Sequence, residues 1–222
     1  MYYLLMDSSG SVAAILMASG FSERFGKENK LLAPVRGKPM ALYTLELVST
    51  IKFSGGIFFV AASEEVAALA VVPSLAQPRA GSEIKVIKNN APDKGLRESV
   101  RLGVEAAGKD AAYYLFFPCD MPFLDADTVQ GVLNARQSGF IVEPRFHGKP
   151  GNPCLFSAHF RDELLSLEEG ETPRIIKERH PEAVIGFDVK TPQILDDIDT
   201  PTQLHHISNL SLKSGSFKHD WK

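Results

Sequence analysis

Cysteine is scarce in this 222-residue chain, which holds only Cys119 and Cys154. Two such residues make neither a disulfide framework nor a CxxC metal pair. Their use fits a reducing cytoplasm, and both are expected as small core residues. Long apolar runs are missing as well. The longest uncharged stretch near the start, Ser8 to Ser22, contains two glycines and five serines. That falls short of the ~20 apolar residues of a membrane-spanning helix. Met1 to Met6 follows no basic region and precedes Asp7, so no signal peptide is expected. Nor is there an excess of positive charge: 24 Lys and Arg stand against 27 Asp and Glu, a net charge of -3. Non-specific nucleic-acid binding depends on neutralising phosphates, so that class of partner is excluded. A local anion site is not.

What is present suits a globular domain. The chain is 44% hydrophobic and 23% charged, enough apolar material for a core and too much for intrinsic disorder. At roughly 150 residues per domain, a single large domain is expected. Val12 to Met17 is continuous and apolar, as in a strand buried on both faces. Further strands are expected at Ile57–Ala61, Glu83–Lys88 and Tyr113–Phe117. Helical patterns follow at Glu64–Val72, Leu96–Ala107 and Asp125–Gln137, and Pro39 should open a helix running to Thr50. Alternation of this kind implies a mostly parallel sheet with helices on both faces. After Gly139 it weakens: Phe140–Glu143 and Cys154–Ser157 read as strands of a smaller, partly antiparallel insertion. Thr172-Pro173 and Thr200-Pro201 each read as the start of a short helix, with Thr as cap and Pro in the first position.

Ligands of open α/β sheets bind beyond the carboxyl ends of the strands. The segment leaving the first strand runs from Ala18-Ser19-Gly20 through Arg24 and Lys27 to Lys30. Its small residues let backbone N–H groups approach an anion, and its cations favour one. It has neither Walker nor GxGxxG spacing. A solvated basic loop is the alternative. Asp120, after Leu115-Phe116-Phe117-Pro118-Cys119, ends an apolar strand, where a carboxylate is costly unless compensated. A divalent metal would compensate it, because Mg²⁺ takes one or two carboxylates plus substrate phosphates. A turn or helix-cap carboxylate is the other reading. The six histidines show no metal-site spacing. Phe116-Phe117 reads as strand core, and Glu168-Glu169 and Asp196-Asp197 as solvated charge.

Together these residues carry a resemblance. Ile15 to Gly26, Lys30-Leu31-Leu32 and Gly37-Lys38-Pro39 resemble the nucleotidyltransferase opening pattern LAAGxSxRxG, a downstream Lys, then GKP. Asp120-Met121-Pro122 resembles the metal motif of that family. Gly95, Ser99 and Val100, before Arg101-Leu102-Gly103, resemble its base-contacting segment. Gly151-Asn152-Pro153 with Leu155-Phe156, and Asp197-Ile198-Asp199-Thr200-Pro201, resemble motifs of the molybdenum-cofactor cytidylyltransferase branch of the MobA-like NTP transferases. The matches are ordered over about residues 12 to 204. Three departures stand out: Ser19 where Ala is usual, Arg97 where Ser is common, and Asn152 where some members have His.

The resemblance implies a three-layer α/β/α Rossmann-like fold of the GT-A type with a mostly parallel mixed sheet. It implies one domain over 1–208, with 12–137 the nucleotide-binding half, 138–208 the acceptor-binding half, and 209–222 a flexible tail. The implied reaction moves CMP from CTP to the phosphate of molybdopterin, or of its molybdenum-loaded form, releasing pyrophosphate. Arg24, Lys30 and Asp120 would be catalytic. Met17, Ala18, Ser19, Gly20, Ser22, Arg24, Lys30, Gly95 and Ser99 would bind nucleotide. Gly151, Asn152 and Pro153 would meet the acceptor, while Asp120 and Asp199 would hold Mg²⁺, with Mn²⁺ an alternative. A molybdenum hydroxylase is the implied recipient of the product, and a cytoplasmic setting without nucleic acid or membrane is implied too. The LAGG motif of GTP-using relatives is absent here, and Ala18-Ser19 favours CTP. Competing readings are a nucleotidyltransferase with another acceptor and a non-catalytic cofactor chaperone, which would not need Asp120, Arg24 and Lys30 together. From Arg24 to Lys38 five basic residues stand against Glu28, while eleven acidic and four basic residues lie between Asp162 and Asp199. The near-neutral total conceals a cationic segment suited to a small anion.

Overall fold

The computed structural model describes residues 10–20, 25, 29–72, 75 and 83–210, with side chains to position 205. β1 (Val12–Ala18) lies at the centre of the sheet. After it come a short hairpin, β2 (Pro34–Val35) and β3 (Lys38–Pro39), and helix α1 (Met40–Ser49). The predicted helix thus starts one residue late: Pro39 ends the hairpin and flanks the helix. β4 (Ile57–Ala61) and α2 (Glu64–Ala67) follow. Ser63 caps α2 by accepting from the Val66 N–H, and the rest of the predicted helix tightens into a 3-10 turn over Ala68–Val71. Next come β5 (Ile84–Lys88), α3 (Leu96–Ala107), β6 (Tyr113–Pro118) and α4 (Ala126–Asn134).

The second half is busier than its sequence pattern suggested. β7 (Ile141–Phe146) turns at His147-Gly148 into β8 (Lys149–Pro150), and β9 (Cys154–Ser157) follows. Two short helices, α5 (Arg161–Leu165) and α6 (Arg174–Arg179), precede β10 (Val184–Asp188). Thr172 does not cap α6; Pro173 is the flanking residue and supplies no side-chain hydrogen bond. At α7 (Pro201–Leu210) the expected device is present, with the Thr200 hydroxyl accepting from the Gln203 N–H. No described helix is long and apolar enough to cross a membrane.

The strands lie in the order β10-β7-β9-β6-β1-β4-β5. β6, β1, β4 and β5 are parallel, and β10 is parallel to β7. β9 runs antiparallel to both β6 and β7. Alternation along the strands divides the core into two layers. Ala14, Leu16, Phe59, Leu115 and Phe117 pack with α1 and α4. Ala13, Ile15, Val60, Phe116 and Phe156 pack with α3, α5 and α6. The sheet is therefore covered on both faces, as an α/β fold of Rossmann type requires. Cys119 and Cys154 are both buried, and burial pushes the Cys154 thiol up to about 11. A third, smaller cluster holds Ile198 against Val35 and Met40, which fixes the segment before α7 to the hairpin.

Candidate active site

Parallel strands deliver their carboxyl ends to one edge of the sheet, and the predicted residues collect there. Asn29 starts a 3-10 turn over Lys30–Leu32, its side chain accepting from the Leu31 N–H at 3.0 Å. The turn presents Lys30, whose Nζ donates to Oδ2 of Asp120 and to Oδ1 of Asp199, each at 2.7 Å. Residues far apart in the chain thus form one charged cluster. A backbone bond tightens it, because the Ile198 N–H donates to the Asp120 carbonyl at 3.1 Å. Burial pulls the Lys30 ammonium down, yet the two carboxylates outweigh it and raise its pKa above the ordinary 10.5. Lys30 is cationic here.

Asp197, expected from the sequence as solvated charge, instead lines a cavity of about 300 Å³ with Asp120, Asn152 and Ile194. Desolvation raises its pKa, and repulsion from Asp199 and Asp120 adds to the shift. The cluster has more negative than positive charge. Asp120 is also not a helix cap: that role at α4 belongs to Asp125, which accepts from the Thr128 N–H at 2.6 Å. Oδ1 of Asp120 is buried and has no hydrogen-bond partner among the described residues. An orphaned carboxylate oxygen is costly in a buried setting and suits a hard cation. Among the described residues no three His, Cys, Asp or Glu side chains converge on one metal position. The donor set therefore fits a cation such as Mg²⁺, which accepts one or two carboxylates and completes its shell with phosphate and water.

The strand-end segment is shaped by its own packing. Ala18 and Ser19 are buried, and Gly20 is exposed. The Ser19 hydroxyl donates to the Val60 carbonyl at 3.0 Å, which turns the side chain inward. Ser22 and Arg24 lie outside the described residues. Gly95 immediately precedes α3. Ser99 is buried one turn into that helix, with its Oγ accepting from Nδ2 of Asn89 at 3.4 Å. Asn89 holds its own turn as well, since its Oδ1 accepts from the Ala91 N–H at 2.9 Å. Sequence reading passed over Asn89, although a buried amide just after a strand is a recognisable signal.

Gly151, Asn152 and Pro153 form the loop between β8 and β9. The Gly151 N–H donates to the Pro144 carbonyl, and the Asn152 N–H to the Ile194 carbonyl. A Cβ at Gly151 would collide with that same Ile194 carbonyl, so only glycine allows this approach. The loop separates the smaller cavity from one of about 700 Å³ lined by Met17, Phe116, Glu143, Arg145, Cys154 and Lys177. Glu143, Arg145 and Lys177 were not singled out in the sequence. Glu143 and Lys177 are 34 positions apart in the chain and meet only once it is folded.

Comparison with known proteins places the fold in a family. Residues 14–184 match the model of the MobA-like NTP transferase domain. A molybdenum cofactor guanylyltransferase of Ralstonia pickettii is 26% identical over 91% of this chain and 98% of its own. Among solved structures, Rv0371c of Mycobacterium tuberculosis superposes with a TM-score of 0.72 at 20% identity, covering 90% of this chain and 98% of its own. The same protein, solved in complex with manganese, gives 0.67 at 18% identity, covering 90% and 98%. A nucleotidyl transferase from Methanothermobacter gives 0.72 at 17% identity, covering 92% and 99%. The solved structures share the fold, and the matched domain spans most of the sequence. The chain belongs to the MobA-like NTP transferase family and is a nucleotidyltransferase.

Proposed function

We propose that this enzyme transfers a cytidylyl group from CTP to the terminal phosphate of molybdopterin, free or molybdenum-loaded, and releases pyrophosphate. The observation carrying this reading is the Lys30–Asp120–Asp199 cluster beside the Ala18–Gly20 backbone, with a large cavity across the Gly151 loop. Nucleotidyl transfer needs positioning and charge compensation more than a protein nucleophile. The backbone N–H groups after β1 would cradle the triphosphate, with Arg24 and Lys30 offsetting its charge. An oxygen of the acceptor phosphate attacks the α-phosphorus in line, and the bond from that phosphorus to the oxygen bridging the β-phosphate breaks. The acceptor is already anionic, so no side chain has to remove a proton. Lys30 exchanges its carboxylate partners for phosphate oxygens as the nucleotide binds, and its raised pKa keeps it charged for that task.

Asp120, with Asp199 beside it, would hold Mg²⁺ or Mn²⁺; the cation would supply charge neutralisation at the reacting phosphates. Manganese in the related fold supports a divalent metal. GTP is the second reading, supported by the name of the Ralstonia pickettii relative. Ser19, where the GTP-using relatives carry a second glycine before Gly20, supports CTP. A molybdenum hydroxylase is the proposed recipient of the product.

Pyrophosphate release measured with each of the four NTPs, Mg²⁺ and molybdopterin tests the proposal. Acceptor-dependent release selective for CTP is expected. Selectivity for GTP would assign the guanylyl reaction instead, and tight cofactor binding without turnover would point to a chaperone. Asp120→Ala should lower turnover by about 100-fold or more while the protein stays folded. Full activity in that variant would overturn the metal assignment.

A further inference from the structure

The larger cavity contains a charged group for which phosphate chemistry has no use. Glu143, on β7, is only 4% exposed. Its Oε1 accepts from Nε of Arg145 at 3.1 Å, with Nη2 also at 3.1 Å, and its Oε2 accepts from Lys177 Nζ at 2.7 Å. The arrangement is built into the fold. Ile141 packs on the α6 face of the sheet, so Glu143 and Arg145, two and four residues on, share that face. Opposite Glu143 in the β10 register stands Gly186. Any Cβ there would collide with the Arg145 guanidinium, so the strand leaves room for that side chain. Lys177 also reaches the Cys154 sulfur at 3.8 Å, and that thiol donates to the Gly151 carbonyl at 3.2 Å. The polar chain therefore ends at the loop bordering Asp120.

Burying the Glu143 carboxylate against two cations is a poor route to stability, because apolar replacements of buried ion pairs are often neutral or better. Its position in a cavity whose walls include Met17, Leu96, Phe116, Phe156 and Val184, with Arg174 and Glu178 also on the lining, points to a ligand instead. Apolar walls with a few fixed polar groups suit a flat organic ring. By the usual inventory of donors and acceptors, Oε2 can accept one further bond and the Lys177 ammonium can donate one more. An acceptor and a donor then stand side by side. Their complement is a ring edge carrying N–H donors next to a carbonyl.

We infer that Glu143 and Lys177 read the 2-amino-4-oxopyrimidine edge of the acceptor's pterin ring, Glu143 accepting from its 2-amino group and Lys177 donating to its carbonyl. This rests on the proposed molybdopterin acceptor. Guanine carries the same edge, so the base of GTP is the other source of this chemistry. The sheet order favours the acceptor. Most of the cavity's lining comes from β6, β9, β7, β10 and the segment around α6, with Met17 of β1 and Leu96 of α3 also on its wall, whereas Ala18–Gly20, Asn89 and Gly95 contribute none of it. Glu143 is thereby a specificity-determining residue for the acceptor.

Pterin is fluorescent, and titrating the full chain with free pterin and with lumazine, which has an oxygen in place of the 2-amino group, tests the assignment without turnover. Pterin should bind at least about tenfold more tightly than lumazine, because losing the amino group leaves Glu143 short of a donor. Glu143→Gln should weaken pterin binding about tenfold and reduce the discrimination to about threefold or less. Lys177→Met, which leaves Glu143 paired with Arg145, should weaken both ligands; it serves as the second variant if Glu143→Gln does not fold. Equal binding of the two ligands to the native protein, or unchanged binding in both variants, overturns the inference. Displacement of pterin by GTP and not by CTP assigns the cavity to the nucleobase and also overturns it. Transfer to molybdopterin without pterin discrimination would sink this inference alone. Discrimination without any transfer would sink only the proposed reaction.

Discussion

A lysine set between two carboxylates stabilises the fold only while it is charged, and at Lys30 the sign of the pH effect follows from its raised pKa. The contribution is complete below the ordinary value of 10.5 and is lost as pH climbs through the higher value of the folded state. The melting-temperature gap between the native protein and Lys30→Met should therefore stay constant from about pH 7 to about pH 10 and narrow above that. Differential scanning fluorimetry measures this, and a gap that persists unchanged into stronger alkali would contradict the assignment. Lys30 and Asp120 were legible in the sequence, because each is a charged residue following an apolar run or a small-residue segment. Glu143 was not. Its neighbours Phe140 to Val142 read as ordinary strand, and nothing local shows that Lys177 folds back onto it.

At the scale of elements, Asp120 and Asp125 are five residues apart and do different things. Asp125 caps α4 through the Thr128 N–H. Its replacement by Ala should cost about 0.5–2 kcal/mol in urea unfolding and leave nucleotide affinity unchanged. A loss of binding instead would mean that the cap and the site are coupled. The almost wholly buried strands β1, β4 and β6 announced themselves as continuous apolar runs. β10 did not, because it is half exposed and interrupted by Gly186. The β2–β3 hairpin has strands of two residues, too short for any periodicity to register. Elements with two buried faces are easy to read from sequence. Edge and hairpin elements draw their stability from neighbours that the sequence does not display.

Across the whole molecule, the reversal at β9 brings the Gly151 loop to the same edge as Asp120, and the path through β10 then brings Asp199 back. Ile198 is the pin in this closure: fully buried against Val35 and Met40, with its N–H on the Asp120 carbonyl. Ile198→Ala should cost about 2–5 kcal/mol. It should also weaken Mn²⁺ binding in the presence of nucleotide, since Asp199 loses its support. Electron paramagnetic resonance would report that binding, and a stability loss with unchanged Mn²⁺ affinity would remove Asp199 from the metal's surroundings. The order of strands has one more consequence. β5 ends the sheet, and no described strand pairs with its outer side. Its exposed Val86 is apolar, but Lys85 and Lys88 are exposed on the same short strand. Lysine on an edge strand opposes edge-to-edge pairing of two copies, here chiefly through Lys85, since Lys88 is ion-paired with Glu64. An edge far from the chemistry thus carries charge that disfavours pairing with a second copy.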